Sequence, residues 1–456
     1  MSAITPERKV AHAVLRRTFE GDEHTERAFR EEAAAVDLTG RSRSQAMWMA
    51  FGAVQRKGTS DGIVSRFVKK KGMRPEPAVM ASLRLALFEI FFSDGTPDHA
   101  VLDQAVELTR LAGAGHAAGF VNALLRRALR ERDNLEAMIA EDSTPKAAAF
   151  AHSAPDWLVE LWWREQGESR ARSLLAACNL PIERALRVNT ARITPEEIIV
   201  ELASEDLELK PVEGQWPLAP AELLTARGSL SAAEDAAERG MLVVQSRGSA
   251  AVVEVLDPQP GERVLDLCAG PGIKTGQIAV RVGRQGNLVS VEPSPERAEE
   301  VAAQLERLGF HNGLVIEADA REGEILSSFD RVLVDAPCSD LGALSSRPDA
   351  RWRKSPAVIE RVIELQSDIL DRAAQQVVEG GTLVYATCTI SRRENADQVR
   401  AFADRSGLEI DDLGSLAPGL ADETDSRFLQ LLPDRDHTTG FFISRLKRPV
   451  VPTGSG

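Results

Sequence analysis

Two cysteines each follow a predicted strand, so their side chains are expected at the edge of a sheet, where they can take part in chemistry. Cys338 follows the apolar run 330–334, and Cys388 follows the apolar run 381–386. Each run is short and apolar, which predicts a buried strand. A cysteine at the end of a single strand is more often a small core residue than a nucleophile. Two cysteines at two strand ends, one of them in Asp335-Ala336-Pro337-Cys338-Ser339, favour a reactive pair.

A glycine-rich turn lies upstream of both cysteines. The predicted strand 263–267 leads into Cys268-Ala269-Gly270-Pro271-Gly272-Ile273-Lys274, and a helix is expected from residue 273. Glycines allow a backbone to approach a ligand closely. The spacing matches neither a Walker loop nor the GxGxxG fingerprint. A plain strand-to-helix turn is the alternative interpretation.

Acidic residues follow the next two predicted strands. Glu292 follows the strand 287–291, where a carboxylate can accept hydrogen bonds from a ribose diol. Arg297 lies five residues further on and is expected to line the same pocket. Asp319 follows the strand 313–317 and can bind an adenine amino group. A single loop acid is usually only solvated, but acids at successive strand ends favour a nucleotide-type cofactor.

A pair of thiols beside such a loop suits the methylation of a pyrimidine at C5. That carbon is not nucleophilic enough unaided. A thiolate that adds to C6 turns C5 into an enamine carbon that can take a methyl group. A base must then remove the C5 proton so that the thiolate can leave. The sequence therefore predicts covalent chemistry.

The surrounding elements divide the chain into three regions and a tail. Residues 1–140 have a helical pattern without strand alternation, and residues 145–245 form a mixed, small α+β region. Residues 246–448 alternate strands and helices, which predicts a doubly wound, Rossmann-like α/β sheet with ligands beyond the carboxyl ends of its strands. The tail 449–456 is expected to be disordered. The expected strands of the third region are 263–267, 287–291, 313–317, 330–334, 381–386 and 440–446, and its expected helices are 273–282, 294–308, 356–378 and 392–405.

The composition excludes several classes of protein. The chain has no run of 18 uncharged apolar residues, so we expect no membrane span. Four cysteines among 456 residues do not suggest a disulfide framework, and no cluster of cysteine and histidine has zinc-site spacing. We therefore expect a cytoplasmic protein with reduced thiols and no metal. Separately, we expect a monomer.

The net charge of −14 argues against a nucleic-acid binder, but the charge is unevenly distributed. Residues 1–140 carry 21 Lys and Arg against 18 Asp and Glu, whereas the rest of the chain is strongly acidic. The segment 62–75 contains five basic residues, three of them the run Lys69-Lys70-Lys71, and no acid. Such a segment is either a solvated surface or a patch that contacts phosphates.

These motifs together resemble the bacterial RsmB-type (Sun/Fmu) 16S rRNA cytosine-5 methyltransferases of the Nol1/Nop2/Sun group. The loop 266–275 is similar to the family's D-x-C-A-A-P-G-G-K-T, residues 335–339 match D-A-P-C-S, and residues 385–389 match Y-x-T-C-S/T. Residues 347–352 are similar to the family's R-x-P-D-x-x-W region, and 98–129 look like part of a NusB-type helical RNA-binding domain. The resemblance covers nearly the whole chain.

The resemblance implies S-adenosylmethionine as the methyl donor and RNA as the substrate. Among RNAs, it favours 16S rRNA or a small-subunit precursor. It implies a Rossmann-like methyltransferase domain preceded by an all-α NusB-like domain and a small α+β connecting subdomain. Cys388 would be the nucleophile, Cys338 would assist release, and Asp335 would lie between the cofactor and the base. The implied cofactor residues are Cys268, Ala269, Gly270, Pro271, Gly272, Ile273, Lys274, Glu292, Arg297, Asp319 and Asp335.

Several positions depart from the family's motifs. Ile273 and Asp340 replace glycines, Gly270 replaces an alanine, and Ser246 and Thr439 stand where the family has aspartate. Ile273 is bulky enough to crowd the cofactor, and Asp340 would place a charge beside the target base. Two alternatives stay open, a tRNA cytosine-5 methyltransferase and a non-catalytic RNA-binding ribosome-assembly factor. The two cysteines favour an enzyme, and the NusB-like region favours rRNA by analogy.

Overall fold

The computed structural model describes residues 4–68, 74–181, 183–203, 207–212, 218–322 and 328–450. These residues form two compact units. The first unit contains the described residues up to Leu180 together with 344–354, and the second contains the others. The basic run 69–71 and the tail after Val450 lie outside the described residues.

The described part of the first unit is helical, as expected for its sequence pattern. Thr5 caps the first helix, since its side chain accepts the backbone N–H of Arg8 at 3.5 Å. The helices are α1 (Pro6–Glu20), α2 (Thr25–Ala35), α3 (Gly40–Gln55), α4 (Lys57–Phe67), α5 (Pro77–Phe92), α6 (Asp98–Leu111), α7 (Ala118–Arg130), α8 (Arg132–Ala140), α9 (Pro145–Ala151) and α10 (Asp156–Ala177).

The segment 344–354 belongs to this helical unit although it lies far along the chain. It contains a short helix, Ala350–Arg353. The fully buried Arg351 donates hydrogen bonds to the backbone carbonyls of Ser153 at 3.2 Å and Cys178 at 3.0 Å. The ring N–H of Trp352 donates to a carbonyl of α3 at 2.8 Å. The tryptophan of the predicted family motif and Arg351 just before it therefore have a structural role.

A small antiparallel sheet opens the second unit. Its strands are β1 (Arg184–Val188), β2 (Leu207–Pro211), β3 (Leu223–Gly228) and β4 (Leu242–Val244), in the order β2-β3-β1-β4. The helices α11 (Pro195–Glu201) and α12 (Ser231–Glu238) accompany it. Thr194 and Glu197 form a capping box at the start of α11, because each side chain accepts the backbone N–H of the other residue.

The larger sheet carries the elements predicted to build the site. Its order is β10-β12-β9-β8-β5-β6-β7, with β11 beside β12. The strands β5 to β9 pair in parallel, and β12 runs antiparallel to β9. The strands are β5 (Arg263–Asp266), β6 (Asn287–Glu292), β7 (Gly313–Glu317), β8 (Phe329–Asp335), β9 (Val377–Thr387), β10 (Glu409–Ile410), β11 (Leu429–Leu431) and β12 (Phe441–Lys447). The helices are α13 (Arg247–Leu256), α14 (Ile273–Val282), α15 (Pro295–Leu308), α16 (Pro356–Ala374), α17 (Ala396–Ser406) and α18 (Pro433–Asp436).

Hydrophobic cores lie on both faces of the larger sheet. Along β5, Val264 packs into one core and the next residue, Leu265, packs into the other. Along β9, Val384 and Tyr385 divide in the same way. Burial on both faces explains why the parallel strands are continuous apolar runs. Among the described residues, no helix combines the length and apolar character needed to cross a membrane.

Two of the expected helices have different bounds in the structure. The helix expected over 356–378 ends at Ala374, and the β-branched Val377 already belongs to β9. The helix expected from residue 392 begins at Ala396, because the preceding residues are held by hydrogen bonds to the cysteine segments, described below. The bounds of the other expected helices and strands of this sheet agree within one residue, apart from the earlier start of β9.

Candidate active site

The carboxyl ends of β5, β6, β8 and β9 lie along one edge of the larger sheet. In the register of the parallel strands, Asp266 pairs with Ser290, and Asp335 pairs with Ala386. The glycine-rich loop leaves β5 at this edge, and Glu292 ends β6. Strand ends at such an edge are where ligands bind in doubly wound sheets. The structure therefore brings the predicted cofactor loop and both cysteine segments to one edge.

Two glycines shape the turn between β5 and α14. Gly270 and Gly272 have φ angles of +55° and +83°, in the left-handed region that favours glycine. A Cβ on Gly272 would lie 3.1 Å from the Cα of Val301, so a side chain there would press on the backbone of α15. A Cβ on Gly270 would meet no described atom within 4 Å. The loop is thus close to α15 on one side and open on the other.

Glu292 attaches this loop to the end of β6. One of its carboxylate oxygens accepts the backbone N–H of Gly270 at 3.0 Å, and the other accepts that of Ser294 at 3.1 Å. The side chain is buried. A carboxylate offers about four lone-pair sites, so Glu292 keeps acceptor capacity for a ligand hydroxyl.

Negative charge is concentrated around Cys268. Burial raises the pKa of the Cys268 thiol well above its usual value, and four surrounding acids act in the same direction, namely Asp266, Asp335, Glu292 and Asp319. Burial also raises the pKa of Asp266 to about 6, although the Thr275 hydroxyl, which donates to it at 2.7 Å, opposes this shift. A group of acids in a partly buried pocket favours a cationic ligand.

Three further predicted cofactor residues are Asp319, Arg297 and Ile273. Asp319 lies just beyond β7, where Arg321 pairs with its carboxylate at 2.7 Å and lowers its pKa. Arg297 is exposed in the first turn of α15, and its backbone N–H donates to Ser294 at 3.5 Å. The half-buried Ile273 is the first residue of α14. The roles of these side chains toward a cofactor stay predictions.

Lys274 connects the glycine-rich loop with the end of β8. Its Nζ lies 2.6 Å from a carboxylate oxygen of Asp335 and 5.2 Å from the centre of the Phe441 ring. The lysine is buried, so its charge requires a partner, and Asp335 supplies one. This ion pair fixes the carboxylate of Asp335 at the edge of the sheet, three residues before Cys338.

The two predicted catalytic thiols are adjacent. The Sγ atoms of Cys338 and Cys388 lie 3.3 Å apart. Cys388 donates its S–H to a carboxylate oxygen of Asp340 at 3.2 Å, which leaves its sulfur as the acceptor from Cys338. The hydrogen bond to Cys388 and then burial raise the pKa of the Cys338 thiol well above its usual value. Cys338 is buried and Cys388 is half-buried.

Asp340 adopts a conformation that explains the glycine of the family's motif. Its φ is +59°, and aspartate is one of the few residues with a side chain that tolerate this region. Its carboxylate and the two thiols lie within 4.8 Å of one another. Two thiols and a carboxylate are also donor types that zinc takes, with one position of a tetrahedron left over.

A buried carboxylate that the sequence did not single out joins the two cysteine segments. Glu394 accepts the backbone N–H of Ser339 at 2.8 Å and its hydroxyl at 2.5 Å. It also accepts the hydroxyl of Thr389 at 3.4 Å. Ser339 directly follows Cys338, and Thr389 directly follows Cys388. Glu394 therefore holds in place the two segments that carry the thiols.

Asn395 extends this network, and the sequence did not single it out either. Its side chain accepts the hydroxyl of Thr387 at 2.7 Å and donates to the carbonyl of Thr389 at 3.1 Å. An acid and an asparagine after two arginines are typical of a solvated helix start. The available signal was their position, six and seven residues after Cys388.

Comparisons with known proteins agree with this geometry. Residues 253–447 match the family described as 16S rRNA methyltransferase RsmB/F, residues 5–130 match the NusB family, and residues 154–215 match an RsmF/B-like ferredoxin-like domain. The probable ribosomal RNA small subunit methyltransferase B of Bacillus subtilis (strain 168) is 31% identical over 420 residues, which cover 90% of this chain and 92% of that protein. The chain belongs to the RsmB/F family of 16S rRNA methyltransferases. The predicted family membership is confirmed.

Further similar proteins cover between 65% and 98% of this methyltransferase. The probable ribosomal RNA small subunit methyltransferase B of Synechocystis sp. is 30% identical over 97% of this chain and 99% of that protein. The crystal structure of PH0851 covers 98% of this chain and 100% of that chain, with a TM-score of 0.81 and 25% identity. NSun6 from Pyrococcus horikoshii shares the fold over 65% of this chain and 99% of that chain, with a TM-score of 0.57 and 22% identity. The Rossmann-like fold preceded by a NusB-like domain and a small connecting subdomain is confirmed.

Proposed function

We propose that this methyltransferase transfers a methyl group from S-adenosylmethionine to C5 of a cytosine in 16S rRNA, through a covalent bond between Cys388 Sγ and C6 of the base. The observation that carries the proposal is the pair of thiols, 3.3 Å apart at the ends of the adjacent strands β8 and β9. A single buried cysteine would have an ordinary packing role. Two adjacent thiols can divide addition and release between them.

The residues around the glycine-rich loop fit S-adenosylmethionine. This cofactor carries a positive sulfonium centre, and the acids around Cys268 give the pocket a negative potential. Glu292 has acceptor capacity for ribose hydroxyls, and the open side of Gly270 allows close approach. When bound, the cofactor supplies an electrophilic methyl group. Asp319 would accept from the adenine amino group, for which its ion pair with Arg321 must open or share.

Addition depends on Cys388 and Asp335. Cys388 is the more exposed of the two thiols, as a nucleophile that must reach a base should be. Its sulfur gives up its proton and bonds to C6, and the C5=C6 electron pair moves to C5, which becomes able to take a methyl group. Asp335 is held by Lys274 at the same edge, and its carboxylate can accept a hydrogen bond from the cytosine N4 amino group.

Release depends on Cys338. Its thiol resists ionisation in the resting protein mainly because of its hydrogen bond to Cys388, which raises its pKa. Once Cys388 is bonded to C6, its sulfur is a thioether, which is only a weak acceptor for the S–H of Cys338. Ionisation of Cys338 then becomes easier at the step where a base is needed. Cys338 can take the C5 proton, after which the C6–S bond breaks and Cys388 is free again.

The substrate must present an unstacked cytosine, because a base inside a helix cannot reach the edge of the sheet. The relatives named for the small ribosomal subunit favour 16S rRNA over tRNA. A bacterial 16S rRNA substrate would place the reaction in the cytoplasm. The basic run 69–71 is a candidate for phosphate contacts in the sequence.

Bisulfite sequencing tests the proposed substrate. Total RNA from a deletion strain is compared with RNA from the strain complemented by the native protein or by Cys388→Ala. We expect one or more 16S rRNA cytosines to lose protection in the deletion strain and to regain it only with the native protein. Loss of protection in tRNA alone would reject the rRNA assignment, and no change in any RNA would reject cytosine-5 methylation.

A thermal shift with S-adenosylmethionine tests the cofactor separately. A ligand at about 100 times its dissociation constant adds about 2.7 kcal/mol to the free energy of unfolding. We expect this shift in the native protein and in Cys388→Ala, because Cys388 is not a predicted cofactor residue. An unchanged melting temperature in the native protein would contradict the cofactor assignment.

A further inference from the structure

Asp340 belongs to the thiol cluster but has no part in the mechanism above. Its half-buried carboxylate accepts the S–H of Cys388 at 3.2 Å. Its backbone adopts φ +59°, a conformation that aspartate tolerates and that glycine adopts more readily. The carboxylate therefore lies beside the reacting sulfur at a position where the family's motif has no side chain.

A carboxylate in this position changes how Cys388 can react. Only a deprotonated sulfur attacks efficiently, and the S–H hydrogen of Cys388 is directed at the Asp340 carboxylate. The proton of Cys388 must therefore pass to an acceptor as the sulfur attacks. Cys338 is a poor acceptor for this proton, since its own thiol stays protonated and donates toward Cys388.

Among the described residues, the other charged groups near the pair do not offer an acceptor at this distance. Glu394 acts on Cys338 electrostatically, but its oxygens are committed to Ser339 and its neighbours. Asp335 is paired with Lys274 at 2.6 Å. Asp340 already accepts the hydrogen of Cys388 and can take the proton without moving.

We infer that Asp340 is a catalytic residue that takes the proton of Cys388 as the sulfur bonds to C6 and returns it at release. The inference rests on the proposed function. In addition, the S–H bond breaks, its proton goes to the Asp340 carboxylate, the S–C6 bond forms, and the C5=C6 electron pair moves to C5. In release, the C5 proton goes to the Cys338 thiolate, whose own proton has left to solvent. The C5=C6 bond re-forms, the C6–S bond breaks, and the sulfur regains its proton from Asp340.

Two substitutions isolate the base function. Asp340→Asn keeps the size of the side chain and an acceptor oxygen but cannot hold the proton. Asp340→Gly introduces the residue of the family's motif, which adopts this φ readily, so the variant should fold. The protein is treated with a chelator beforehand, because two thiols and a carboxylate can also bind zinc.

Two rates are measured for each variant. The first is covalent trapping on a 16S rRNA transcript that carries 5-fluorocytidine, in the presence of S-adenosylmethionine. Release requires a proton at C5, and a base cannot remove fluorine from that carbon, so the adduct persists. The second is alkylation of Cys388 by iodoacetamide without RNA, resolved by mass spectrometry.

We expect the two rates to change in opposite directions. Trapping by either variant should slow about 10²-fold at neutral pH and recover as pH rises, because a thiolate then forms without a base. Alkylation of Cys388 should become faster, because the repelling carboxylate is gone. Trapping at the native rate, or a decrease of both rates, would overturn the role of Asp340. If the native protein traps no RNA, the covalent mechanism itself is wrong, whatever the variants do.

Discussion

Replacing Glu394 by alanine should both destabilise the methyltransferase unit and separate the two thiols. Glu394 is fully buried and accepts two hydrogen bonds from Ser339, at 2.8 Å and 2.5 Å, and one from Thr389 at 3.4 Å. A buried donor left without its acceptor costs about 1–3 kcal/mol. The backbone N–H of Ser339 bears this cost in full, whereas its hydroxyl can turn to Thr389, 2.8 Å away.

The expected total is therefore about 3 kcal/mol, from the unpaired N–H and the weakened hydroxyl pairing. For a domain of this size, such a change lowers the melting temperature by roughly 6–12 °C. Differential scanning calorimetry of the full chain measures it, and the transition that S-adenosylmethionine raises identifies the methyltransferase unit. Methylation of 16S rRNA should also fall, because Ser339 and Thr389 flank the two thiols.

The control is Glu360→Ala, which removes an exposed carboxylate from an ion pair with Arg393, next to Glu394 in the chain. We expect the control to leave both the melting temperature and the activity unchanged. A native melting temperature in Glu394→Ala would refute the reasoning about stability. A lowered melting temperature with native activity at a permissive temperature would refute the role of Glu394 in aligning the thiols.

Two further predictions concern the cofactor side of the edge. Burial raises the pKa of Asp266 from 3.8 to about 6, so between these values the folded protein holds a proton that the unfolded chain has lost. Stability should then fall by about 3 kcal/mol as pH rises from about 4 to about 6, and urea titrations should show that Asp266→Asn removes this contribution. Glu292→Ala and Asp319→Ala should raise the KM for S-adenosylmethionine more than they weaken RNA binding. Weakened RNA binding with an unchanged KM would place that acid outside the cofactor pocket.

The sequence predicted the elements of the larger sheet because their signals are local. The helix α14 was expected over 273–282 and has these bounds, since the glycine turn before it determines where it can start. Apolar runs predicted the strands because both faces of the sheet are buried. The helix expected over 356–378 extended too far, because apolar periodicity alone does not distinguish the last turn of a helix from the first residues of a strand.

The contacts that complete the site depend on distant residues and were not predictable. Glu394 is buried and accepts a hydrogen bond from Ser339, 55 residues earlier. The hydrogen bond between Asp340 and Cys388 depends on the left-handed turn at residue 340. Arg351 likewise lies between two elements of the larger sheet in sequence but packs in the helical unit. The spacing of residues within a sequence motif does not show which distant residues they contact.

The different fates of the two cysteine variants test the covalent mechanism most directly. Cys388→Ala lacks the sulfur that bonds to C6, so it should form neither methylated RNA nor a covalent complex. Cys338→Ala should still add and methylate but release slowly. A protein–RNA adduct that survives denaturing gel electrophoresis and requires S-adenosylmethionine should therefore accumulate with Cys338→Ala alone. An adduct with Cys388→Ala instead would reverse the two roles, and full activity in both variants would contradict the covalent mechanism.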